Sequence, residues 1–85
     1  MAFSKDVKTE TVSLNEIQPG EKCRIRSIQL IGAEGQRLLD MGFIRGAAVE
    51  VIRNAPFADP LEVSLDGAKI SLRHHEAKLL TVEKQ

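Results

Sequence analysis

The most constraining feature of this chain is the dipeptide Asp66-Gly67, which directly follows a run of alternating apolar and polar residues. Residues 61–65 alternate with the period of a strand that buries one face. Asp-Gly readily adopts the two positive φ angles that a two-residue hairpin turn requires. The sequence therefore predicts an antiparallel hairpin that joins residues 61–65 to residues 68–72.

Three further segments show strand-like alternation, namely residues 23–30, 49–53 and 80–82. The first of them loses its phase at Ser27, which predicts a bulge or a bend. Together with the two strands of the hairpin, they make five short strands. We therefore predict a mainly β domain, a small five-stranded and partly closed barrel.

One or two short helices are predicted beside the strands, counting single helical turns separately. Residues 33–41 form an amphipathic run, and Gly42 stands where a left-handed helix C-cap is expected. Ser13, with Glu16 three residues later, fits a capping box and predicts one helical turn. Residues 73–78 are polar enough for a further turn.

The size and the charge of the chain limit its function. Residues 1–11 show no periodicity, so we predict a flexible N-terminal tail, followed by one domain over residues 12–85. A chain of 85 residues builds only a small core, from which a deep catalytic cleft is hard to form. Because 12 Lys and Arg balance 12 Asp and Glu, no basic surplus is available for nucleic-acid phosphates. A protein-binding domain is therefore favoured over an enzyme or a nucleic-acid binder.

The cysteine content and the apolar runs bear on location and catalysis. Cys23 is the only cysteine and cannot form an internal disulfide, and no signal peptide is visible. No apolar run reaches the roughly 18 residues of a membrane span, so we expect a cytoplasmic protein without membrane insertion.

Cys23 lies at an apolar position of a predicted strand and is expected to be buried, rather than to act as a nucleophile with a histidine. Phosphate-loop, dinucleotide and hydrolase motifs are absent from the sequence.

His74, His75 and Glu76 form the only cluster of metal-binding residue types. Neighbouring side chains diverge on a strand or a helix, so one ion seldom uses both histidines. Two solvated histidines are the favoured interpretation. The alternative is a metal-sensing module in which these residues bind Fe²⁺ or Zn²⁺, and two copies sharing that ion would form a weak homo-oligomer. No other cofactor is predicted.

Residues 37–45 carry more large apolar side chains than a barrel this small can bury, which predicts an exposed patch for a partner protein. The residues assigned to this patch are Arg37, Leu39, Met41, Phe43, Ile44 and Arg45. Prolines on both sides restrict the backbone around Phe57. Phe57 is therefore predicted to be either a plug of the core or an anchor for the partner.

Several of these segments, taken in order, resemble the bacterial FeoA family, ferrous iron transport protein A. The segments are Leu38-Leu39-Asp40-Met41-Gly42-Phe43-Ile44, Gly46, Ala55-Pro56-Phe57-Ala58-Asp59-Pro60-Leu61, Ile70-Ser71-Leu72-Arg73 and Glu76-Ala77. The resemblance runs from about Leu14 to Val82. Arg45 stands where the family commonly has proline, and Ala58 where it usually has glycine.

The resemblance implies an SH3-like barrel that acts in ferrous iron uptake with the membrane protein FeoB, whose cytoplasmic part binds and hydrolyses GTP. We therefore expect a non-catalytic accessory protein, cytoplasmic and peripheral to the inner membrane through its partner. It would bind the cytoplasmic GTPase part of FeoB through the apolar patch and Phe57, and modulate it. The metal-sensing module remains the alternative.

Overall fold

The computed structural model describes residues 11–85, which form one antiparallel sheet with two α-helices and a 3₁₀ turn. In chain order the elements are β1 (Thr11–Ser13), the 3₁₀ turn (Leu14–Glu16), β2 (Lys22–Ile28), α1 (Gly32–Met41), β3 (Ala48–Arg53), β4 (Leu61–Leu65), β5 (Ala68–Leu72), α2 (His74–Ala77) and β6 (Leu80–Lys84). The strand order is β1-β6-β2-β3-β4-β5, so the last strand lies between the first two. The prediction of a mainly β fold with short helices is confirmed.

The prediction of five strands is wrong, because six are present within the described residues. The additional strand is β1, whose three residues pair with β6. The capping box predicted at Ser13 is also wrong, because Ser13 pairs with Thr81 and its side chain makes no cap hydrogen bond. A three-residue strand is too short to show alternation, and β6 supplies its partner from the far end of the chain. Of the predicted tail, residues 1–10 lie outside the described residues, and Thr11 begins β1.

The predicted hairpin is confirmed. β4 and β5 are antiparallel, and Leu65 lies opposite Ala68 across the turn. The φ angles of Asp66 and Gly67 are 49° and 93°, both positive as in the type I′ turns that suit the twist of a hairpin. The bulge predicted at Ser27 is present as a register shift in the pairing of β2 with β6.

Two glycines determine how α1 is placed. Gly42 ends the helix with a φ of 112°, as predicted, and its N–H donates to the last turn. Gly35 was not singled out from the sequence, although a Cβ built on it would lie 2.5 Å from the Gln29 carbonyl oxygen and 2.9 Å from the Leu30 Cα. Only glycine therefore lets α1 pack this closely against the segment that precedes it.

The core is formed by inward-facing residues of the central strands, the 3₁₀ turn and both helices. Its buried members are Leu14, Ile17, Cys23, Ile25, Leu38, Phe43, Ala47, Val49, Val51, Leu61, Val63, Leu65, Leu72, Ala77, Leu80 and Val82. Leu14 and Ile17 are both fully buried. The side-chain amide of Asn54 helps to place them, because it donates to the carbonyls of Asn15 and Ile17 over 3.0 and 2.8 Å. Among residues 11–85, no helix has the length and apolarity to cross a membrane.

Candidate partner-binding surface

Phe43 does not belong to an exposed patch. Its side chain is fully buried and is among the largest in the core, so the prediction that it is exposed for a partner is wrong. After Gly42 the chain turns back, and the Phe43 N–H donates to the Leu38 carbonyl over 3.2 Å while the Gly42 N–H donates to Leu39. This is a Schellman motif, in which the residue after the glycine commonly packs against the helix. The signal for burial was therefore present in the sequence.

The other residues of the predicted patch differ in exposure. Leu39 and Met41 are half-buried, and Met41 packs against the core. Ile44 is 55% exposed, and the side chains of Arg37 and Arg45 are also exposed. The exposed residues of the predicted patch are therefore one isoleucine and two arginines.

Phe57 lies at the tip of a tight turn and is fully exposed, so the alternative that it plugs the core is wrong. The Ala58 N–H donates to the Ala55 carbonyl over 3.3 Å and closes a four-residue turn. Pro56 occupies the second position, where its fixed φ favours the turn. We name residues 55–60 the proline turn. This turn holds a large aromatic side chain entirely in solvent.

The structure places the proline turn and Ile44 toward opposite ends of β4. The proline turn leads directly into Leu61, whereas Gly42 lies against Leu65. Leu61 and Leu65 are four positions apart along the strand, or roughly 13 Å. The predicted apolar patch and Phe57 therefore belong to two separate exposed regions.

Arg37 lies on the same side as the proline turn. It forms an ion pair with Glu76, whose side chain is 5% exposed. The other carboxylate oxygen of Glu76 accepts a hydrogen bond from the Arg73 N–H over 2.9 Å. Glu76 thus links α1 to α2, and a shallow cleft of about 390 Å³ lies between it and the proline turn, lined by Arg37, Asp59, Pro60, Ser71, Leu72, Arg73 and Glu76.

The three predicted metal ligands are not brought together. The Nε2 atom of His74 lies 3.1 and 3.0 Å from the carbonyl oxygens of Ala55 and Ala58, whereas Nε2 of His75 lies 2.7 Å from Glu34 of α1. Glu76 is held in its ion pair. Neighbouring side chains on a one-turn helix diverge by about 100°, which explains the separation. Within residues 11–85, no group of three or more histidine, cysteine or acidic side chains is arranged to hold a metal ion.

Cys23 is buried in β2, as predicted. Burial, with a smaller contribution from the negative charge of Glu21, raises the pKa of its thiol from 9.0 to about 11. The thiolate is the reactive form of cysteine, so this residue is unreactive near neutral pH. Neither imidazole is hydrogen-bonded to it.

We expect the folded protein to resist modification at Cys23 by a thiol reagent such as DTNB at pH 8, and to react fully once unfolded in guanidinium chloride. Because the folded-state pKa is raised, the unfolded chain loses its thiol proton first, and stability falls as the pH rises from 9 through 11. A Cys23→Ala variant should lack this contribution to the loss of stability at alkaline pH. Rapid labelling of the native protein would contradict the prediction.

The model of the FeoA domain matches residues 12–84. The chain belongs to the FeoA family. It is 31% identical over 70 residues to the Fe(2+) transport protein A/Fe(2+) transporter FeoB fusion protein of Porphyromonas gingivalis, a match that covers 82% of this chain. The match spans only 8% of that relative.

Solved FeoA structures agree with the fold. The solution structure of the FeoA protein from Chlorobium tepidum is 36% identical, with a TM-score of 0.76, and the match covers 86% of this chain and 70% of that one. The crystal structure of Stenotrophomonas maltophilia FeoA complexed with zinc, described as a procaryotic SH3 domain protein, is 29% identical with a TM-score of 0.76. That match covers 84% of this chain and 88% of the other. The predictions of an SH3-like fold and of membership in the FeoA family are confirmed.

Proposed function

We propose that this FeoA-family protein is a non-catalytic accessory protein of ferrous iron uptake, which binds and modulates the cytoplasmic GTPase part of FeoB. The observation that carries the proposal is the fusion of a similar domain to FeoB in one chain of P. gingivalis. A covalent link keeps two domains at a high effective concentration, which favours their contact. The protein would then work in the cytoplasm, next to the inner membrane.

The side chains of the domain support a binding role over a catalytic one. Cys23 is buried and its thiol has a raised pKa. Both imidazoles contact other parts of the domain, and the buried carboxylate of Glu76 is held in an ion pair with Arg37. These groups are occupied in structural contacts, so GTP hydrolysis is assigned to FeoB.

The proposed docking surface is the proline turn, with Phe57 at its tip and the cleft beside Arg37. Phe57 is exposed on a turn restricted by two prolines, so presenting it to a partner costs little conformational entropy. Aromatic and arginine side chains are enriched at protein interfaces. The Ile44 and Arg45 region, with the exposed parts of Leu39 and Met41, is proposed as a secondary contact, reached by a partner that covers α1.

The metal-sensing alternative has weaker support. The S. maltophilia FeoA structure contains zinc, but in this chain the imidazoles of His74 and His75 contact different elements. Equilibrium dialysis against Zn²⁺ and Fe²⁺ distinguishes the two functions. Submicromolar binding by the monomer, lost on alanine substitution of both histidines, would favour the metal-sensing module.

A capture experiment tests the proposal. Immobilised protein is exposed to the purified cytoplasmic part of FeoB with GDP, with a GTP analogue or without nucleotide, and each condition is repeated with Fe²⁺. We expect saturable capture that differs between nucleotide states, because a modulator must bind those states with different affinities. Capture in no condition would refute the proposal, and equal capture in all conditions would indicate a scaffold rather than a modulator.

A further inference from the structure

We propose that His74 is a positioning residue, which holds the proline turn in the conformation that presents Phe57. The contact between His74 and the turn is a property of the domain itself. Only the last step of the inference, that a held turn binds the partner better, rests on the proposed function.

The hydrogen bonds define the state of the imidazole. Nε2 of His74 lies 3.1 Å from the carbonyl oxygen of Ala55 and 3.0 Å from that of Ala58. Carbonyl oxygens only accept hydrogen bonds, so Nε2 carries the proton and donates to both in a three-centre arrangement. The two acceptors are the first and last residues of the turn, with Pro56 and Phe57 between them. The imidazole therefore joins the two ends of the turn.

The main chain of His74 adds a third contact. Its N–H donates to Oδ1 of Asp59, the next residue of the turn, over 2.8 Å. The side chain of His74 is only 21% exposed, so these bonds are partly shielded from water. His74 thus contacts three residues of the proline turn.

Apart from its two prolines and the hydrogen bond from the Ala58 N–H to the Ala55 carbonyl, the turn has little else to order it. All residues from 55 to 60 are exposed, so burial of apolar surface cannot hold them in place. The helix that carries His74, by contrast, is anchored, because Ala77 is fully buried in the core and Glu76 pairs with Arg37. His74 therefore connects an exposed turn to a fixed part of the domain.

This geometry also bears on the two adjacent histidines. A nitrogen that carries a proton has no lone pair for a metal ion. Nε2 of His74 donates to the turn and therefore does not bind a metal ion in this state. His75 contacts Glu34 of α1 instead. The two residues are chemically identical neighbours with different contacts, which makes His75 the matched control.

Amide hydrogen exchange, measured by NMR, tests the inference in the free protein. The reporter is the Ala58 N–H, which closes the turn. In His74→Ala we expect its exchange to be about 2 to 10 times faster, the range expected for the net contribution of one hydrogen bond. His75→Ala should match the parent. His74→Gln, whose amide nitrogen can donate from a similar distance, should restore most of the protection.

Parent-like exchange in His74→Ala, or equal exchange in His74→Ala and His74→Gln, would overturn the inference.

Capture of the cytoplasmic part of FeoB tests the last step separately. If the parent binds, His74→Ala should bind more weakly, by no more than the factor by which the opening of its turn increases, because only the fraction with an ordered turn is competent. Full binding by a variant with a loosened turn would overturn the role in presentation. Failure of the parent to bind would refute the proposed function, and the exchange result would still decide the role of His74 in the turn.

Discussion

Replacing Phe43 with alanine is expected to lower the free energy of unfolding by about 3 to 5 kcal/mol, as is typical for truncation of a buried phenylalanine. The side chain is fully buried, and the Schellman turn at Gly42 directs it inward. A domain of this size has a total stability of only about 4 to 12 kcal/mol. The substitution should therefore remove a large part of the stability of the domain.

Urea unfolding followed by circular dichroism measures this loss. Ile44→Ala is the matched control, since Ile44 is the next residue and is 55% exposed. We expect it to lose less than about 1 kcal/mol, because surface substitutions away from special features have small effects. A Phe43→Ala variant as stable as Ile44→Ala would contradict the burial of Phe43.

Replacing Phe57 with alanine is expected to leave the stability nearly unchanged and to weaken partner binding. The side chain is fully exposed, so stability should change by no more than about 0.5 kcal/mol. If Phe57 is the central contact for FeoB, its removal should cost at least about 2 kcal/mol of binding free energy, or roughly a 30-fold loss of affinity. Calorimetry or capture of the cytoplasmic part of FeoB measures the loss.

Two controls sharpen this result. Leu30→Ala removes a side chain that is 58% exposed and belongs to no proposed surface, so we expect parent-like binding. Ile44→Ala tests the region at the other end of β4, where we expect a smaller loss than for Phe57→Ala. A folded Phe57→Ala variant that binds normally would show that the docking surface lies elsewhere.

Several parts of the fold could be predicted because their causes are local. The two positive φ angles at Asp66 and Gly67 and the left-handed cap at Gly42 depend on residue types at one place in the chain. The loss of alternation at Ser27 likewise marks a bulge where it occurs. The resemblance to FeoA also depends on short segments in order, and the family match over residues 12–84 agrees with it.

The candidate site was predicted less well, because exposure depends on what covers a residue. Phe43 and Phe57 have the same side chain, yet one is fully buried and the other is fully exposed. Proline and glycine patterns indicated that both phenylalanines are held in defined positions. They did not indicate which of them the rest of the chain covers.

By itself, the sequence determined the turns, the helix end, most strands and the family, since each depends on neighbouring residues or on short ordered motifs. Only the tertiary structure decided which side chains meet. Glu76 pairs with Arg37 across 39 positions, and His74 reaches Ala55 across 19. The short strand β1 exists because β6 lies beside it. Such contacts form when distant segments pack on one core, and no local pattern encodes the partner that packing will bring.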